Sequence, residues 1–81
     1  MKPYTPVAPH VRERLEIAIL TGELLDLHWV EEDSDHAWMA RLRPTGIDEK
    51  DGAQYLEALN DQGETQRIRL DLIRNLPTPV K

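Results

Sequence analysis

The chain has 81 residues, with ten basic against fifteen acidic side chains for a net charge of −5, and no cysteine. That length holds one small domain, which without disulfides or thiolate metal sites relies on its hydrophobic core. No apolar run exceeds four residues, which excludes a membrane-spanning helix or a leader peptide and points to a cytoplasmic protein.

Residues 1–8 contain Pro3 and Pro6 and read as an extended arm. Pro9 suits the first turn of a helix, and Val11, Leu15, Ala18 and Ile19 then fall on one face, so a helix is expected from Pro9 to Thr21. Gly22 is its expected left-handed stop. From Glu23 the period changes to two: Leu25, Leu27 and Trp29 alternate with Asp26 and His28. Residues 31–35 form an acidic turn, and a second strand runs from His36 to Arg43. Pro44, Thr45 and Gly46 are expected to end it, and residues 47–52 to form an acidic loop. The third strand is Gln54 to Leu59, and residues 60–63 a hairpin turn. The fourth is Thr65 to Leu70, with Ile68 and Leu70 inward and Arg67 and Arg69 outward. Residues 71–73 suit one tight turn, and residues 74–78 a short edge strand limited by Pro77 and Pro79.

The expected fold is α+β and mostly β: an N-terminal helix followed by a strongly bent antiparallel sheet or open barrel of about five strands. A single domain spans residues 9–78, after the 1–8 arm and before a 79–81 tail. A first turn centred on Asp33 sets Leu27 opposite Met39, His28 opposite Trp38 and Leu24 opposite Leu42. Prolines near an edge favour a monomer.

Catalytic motifs are missing. There is no cysteine nucleophile and no glycine-rich phosphate loop, and Ser34, the sole serine, sits in an acidic turn. A metal centre needs three or four converging ligands, so His10, His28 and His36 read as surface histidines. The chain is therefore read as a non-enzyme that needs no cofactor. Charge is uneven: residues 23–64 carry −9, twelve acids against Arg41, Arg43 and Lys50, whereas residues 65–81 carry +3. Such a middle repels phosphate and attracts basic protein surfaces. An RNA-binding reading nevertheless exists, in which Trp38 stacks on bases beside Arg41, Arg43, Arg67 and Arg69. On the helix, Glu13, Glu16, Ile17 and Leu20 lie opposite the core face. Either the last helical turn is buried all round, or these four form a docking face for a basic groove.

Four stretches in this order resemble the Rof family, small inhibitors of the transcription terminator Rho. Tyr4-Thr5-Pro6-Val7 looks like Y-x-P-I/V, and Leu15-Glu16-Ile17-Ala18 like L-E-x-A. Tyr55-Leu56 falls where the family has E-Y-L. Gly63-Glu64, leading to Ile68-Arg69-Leu70-Asp71-Leu72-Ile73, looks like a G-E followed by I/L-R-L-D-x-I. The resemblance covers residues 4–75. It departs before the helix, where the family carries a cysteine and several acids and only Glu13 and Glu16 keep acidic positions. It implies an Sm-like fold and an antiterminator that binds the RNA-binding N-terminal domain of Rho and blocks RNA loading. It also implies that the loop residues Lys50 and Asp51 lie near the partner.

Overall fold

The computed structural model describes residues 3–75. Helix α1 spans Pro9–Thr21, as the 3.6-residue period requires. Ala8 offers no side-chain cap, and proline opens the first turn. Gly22, at φ 70°, and Glu23 both donate their N–H to Ala18 O, which closes the helix in the left-handed manner only glycine adopts at little cost. The Arg14 guanidinium grips the Glu23 carboxylate with two hydrogen bonds of 3.0 and 2.7 Å, fixing the exit of the chain from the helix.

Four antiparallel strands follow in spatial order β1-β2-β3-β4: β1 Leu25–Val30, β2 Ala37–Lys50, β3 Ala53–Leu59 and β4 Thr65–Arg69. A 3-10 turn, Leu70–Leu72, ends the last one a residue earlier than the alternation suggests. Among the described residues the fold is mostly β with one helix, and the four-stranded sheet does not close into a barrel. Leu15 of α1 enters a core with Leu27, Leu42, Leu56, Ala58, Ile68 and Leu70, and Val7, Val11, Trp29 and Ile73 pack around it.

β2 overrides its expected breakers. It pairs with β1 as far as Leu42 and with β3 from Arg43, so one long strand serves both halves of the bent sheet. The register shifts between Pro44 and Gly46, leaving Thr45 as the extra residue of a bulge, and Thr45 Oγ1 donates to Glu57 O at 3.1 Å. A bulge is where a strand tolerates proline, and it adds the local twist this bend needs. The expected acidic loop 47–52 is strand as far as Lys50. Asp51 and Gly52, at φ 53° and 81°, then make a two-residue hairpin turn of the Asp-Gly kind.

The β1–β2 register differs by one residue from the expected one. Leu27 faces Ala40, His28 faces Met39, Trp29 faces Trp38 and Leu25 faces Leu42. The link runs through six residues, with Glu31 N donating to His36 O, so its centre falls between Asp33 and Ser34. Leu24 is consequently left exposed. The fifth strand expected at 74–78 is not formed at Arg74 and Asn75, and its remainder lies outside the described residues, as do Pro77, Pro79 and the 79–81 tail. Ile73 makes one isolated bridge to Trp29, and Arg74 N donates to His28 O at 2.7 Å. The Asn75 side chain accepts from His28 N and donates to Asp26 O, covering the outer edge of β1.

Arg69 is the main departure from the alternation pattern. Its pleat position is outward, yet it is 3% exposed. The arm folds back across it: Arg69 Nη2 donates to Pro3 O at 3.1 Å, and its guanidinium lies 5.8 Å from the Tyr4 ring centroid.

Candidate functional site

The outer face of α1 carries the acidic and aliphatic residues together. Glu13 and Glu16 are exposed, Ile17 is 53% exposed and Leu20 85%. The last turn is therefore not buried all round, because Leu15 and Ala18 alone carry α1 into the sheet at full burial. Arg12 reaches Glu16 at 3.9 Å across one helical turn, a loose exposed pair that leaves the glutamate available to a stronger partner. Lys50 and Asp51 sit at the tip of the β2–β3 hairpin, both exposed. That hairpin borders the arm, and Glu49, Gly52 and Gln54 enclose a small recess with Tyr4, Pro6 and Val7 just ahead of α1.

The arginine set does not form a free basic surface. Arg41 is paired with Asp26 at 2.9 Å across β1–β2. Arg67 donates to Asp48 at 2.8 Å and stacks over Tyr55, 4.9 Å from the ring centroid. Arg69 is buried against Asp71 at 2.6 Å, with Glu32 at 3.9 Å. Arg43 is exposed. Trp38 is half-exposed, and its indole Nε1 donates to Glu31 Oε1 at 2.8 Å while His36 meets it edge-on at 4.6 Å. Sequence reasoning missed the acids that engage these groups. The one available signal was pairing, and only for Asp26, whose strand lies beside the one that carries Arg41; Arg67 of β4 reaches Asp48 of β2 across the intervening β3.

The ion pairs shift their own groups. The hydrogen bonds from Arg14 hold Glu23 below the ordinary carboxylate value, and those from Arg41 do the same to Asp26. Burial, reinforced by the Glu32 carboxylate, raises the Tyr55 phenol. No three His, Asp or Glu side chains among the described residues converge to hold a metal ion, and no described helix is long and apolar enough to cross a membrane.

Fold and site together define a small α+β module with one helix on a bent four-stranded sheet and an acidic, aliphatic helix face turned outward. The chain matches no family model and no curated protein. Among solved structures it is similar to proteasome accessory factor B/C (PafBC) of Arthrobacter aurescens, with a TM-score of 0.69 and 22% identity. The match covers 89% of this chain and 12% of that one, so the same architecture occurs there as a small part of a much longer protein. At that identity the likeness extends to the fold alone.

Proposed function

We propose that this chain is a non-catalytic protein-binding module that docks on the RNA-binding domain of Rho, excludes RNA and so relieves transcription termination, acting as a monomer in the cytoplasm. The observation that carries the reading is the α1 face, where Ile17 and Leu20 stand open to water on the turns that follow Glu13 and Glu16. Two exposed aliphatics beside two carboxylates suit a basic groove with apolar walls, where each glutamate gains charge-assisted hydrogen bonds. Lys50 and Asp51, beyond the arm, extend the contact.

The state of the arginines supports protein over RNA as the partner. Of the four arginines in the RNA-binding reading, Arg41 and Arg67 are held by aspartates and Arg69 is buried. Phosphate contacts supply most nucleic-acid affinity, and a net charge of −5 works against them. The test is capture of purified Rho on the immobilised chain, with and without an RNA competitor, beside anisotropy of a labelled single-stranded RNA. Rho is expected to bind without RNA and to be displaced by it, and the oligonucleotide to bind weakly. Salt-sensitive, sub-micromolar RNA binding with no capture of Rho overturns the proposal.

A further inference from the structure

An open cleft of about 790 Å³ lies where the bent sheet fails to close, between the β1–β2 hairpin and β4. β4 pairs with β3 on one side, and among the described residues no strand or bridge pairs on its other side. The edge of β1 is covered by Ile73, Arg74 and Asn75, so the unpaired backbone along the seam belongs to β4. The aromatic wall comes from Trp29 and Trp38, cross-strand neighbours that both line the cleft. Trp38 is held in place by its bond to Glu31 and its contact with His36. Met39, 72% exposed, stands at the mouth.

The charge around this cleft is acidic. Glu31, Glu32 and Asp33 approach from the β1–β2 link and Asp61 from the β3–β4 turn. The two cations on the β4 wall only partly offset them: Arg67 is bonded to Asp48 outside the cleft, and Arg69 is held chiefly by Asp71 with Glu32 at 3.9 Å, so the lining stays net acidic. A phosphate chain entering here would meet carboxylates from two sides. A peptide with basic side chains would meet complementary charge, aromatic faces that favour cations, and a strand edge with backbone groups to share.

We infer that the seam is a docking site for an extended basic segment of a partner protein, which adds beside β4 as a fifth strand. Its alternate side chains divide between the two environments: apolar ones rest on Trp29 and Trp38, and basic ones reach Asp33, Asp61 and the neighbouring glutamates. No residue of α1 lines the cleft, so this site stands apart from the helix face.

The chain's two tryptophans both line the cleft, so intrinsic fluorescence reports its occupancy. The full chain is titrated with a blocked six-residue peptide alternating arginine and valine, with its glutamate–valine counterpart, with the arginine peptide N-methylated at every amide, and with a single-stranded oligonucleotide. A saturable change is expected from the arginine peptide alone. The double variant Asp33→Lys with Asp61→Lys changes two exposed side chains and is expected to keep its melting temperature while binding the peptide roughly tenfold or more weakly. No saturable change, an equal response to the glutamate peptide, undiminished binding of the N-methylated peptide, or a response to the oligonucleotide in its place each overturns the inference.

Discussion

Arg69 Nε lies 2.6 Å from Asp71 Oδ1, and the two side chains are 3% and 6% exposed. Around them, Thr5 N donates to Asp71 Oδ2 at 2.9 Å and Arg69 Nη2 to Pro3 O at 3.1 Å. One ion pair thus ties the arm, β4 and the 3-10 turn together. Arg69-Leu70-Asp71 and Tyr4 also belong to the stretches whose sequence pattern resembles that of the Rof family. In this structure these side chains hold the fold and lie apart from the outward face of α1.

Removing one partner of the pair leaves a buried charge uncompensated. Arg69→Met or Asp71→Leu alone is expected to cost about 2–4 kcal/mol, and the double variant less than the sum of the two. Thermal melts of the three proteins check this. Additive losses would mean that the two side chains are not coupled.

The core prediction concerns Leu27 and Ile68, both buried in the central cluster from strands at opposite ends of the sheet. Truncating either to alanine is expected to cost about 2–4 kcal/mol, from lost burial and the cavity left behind. In a domain this small that is a drop of roughly ten degrees or more in melting temperature. A shift of only a degree or two would contradict their placement.

How far the fold was legible follows from which forces act locally. The α1 limits were, because the spacing of Val11, Leu15 and Ala18 and the terminating Gly22 are local signals. Trp29 facing Trp38 was not, because register depends on how six linking residues turn, and one residue changes every pair. Pro44 reads as a breaker until the bulge at Thr45 is known, and Asp51-Gly52 was a legible hairpin signal hidden among acids. Burial of Arg69 depends on an arm 66 residues distant in the chain returning to cover it, which alternation cannot reveal. The acidic–aliphatic face of α1 was legible because a helix face follows from spacing alone, whereas the seam beside β4 exists only once the sheet has bent.

Acid should weaken the fold in a defined way. Glu23 and Asp26 titrate below their ordinary values of 4.5 and 3.8 because Arg14 and Arg41 bind their charged forms. With folded values depressed, their stabilisation is present above the ordinary values and is lost as pH falls through the folded ones. The Arg41–Asp26 pair is well exposed and the Arg14–Glu23 pair half-exposed, so the effect is small. The melting temperature is expected to decline as pH drops below about 4.5, and Arg14→Gln with Arg41→Gln to flatten part of that decline. A variant curve running parallel to the parent's would refute the assignment.

The helix face carries the last prediction. Glu13 and Glu16 are exposed on α1 beside Ile17 and Leu20, and neither touches the buried Leu15–Leu56 core. Glu13→Lys with Glu16→Lys therefore removes little from the fold beyond the loose Arg12–Glu16 pair at 3.9 Å. Against a basic groove the same change replaces attraction with repulsion, and like charges brought together at an interface cost several kcal/mol. The double variant is expected to melt within a few degrees of the parent, to lose capture of Rho, and to stop relieving termination in a transcription assay. Leu20→Ser, which keeps the charges and removes the most exposed aliphatic, is expected to weaken capture while leaving melting unchanged, because its side chain is already 85% exposed in the free protein. If both variants captured Rho as well as the parent, the α1 face would not be the docking surface.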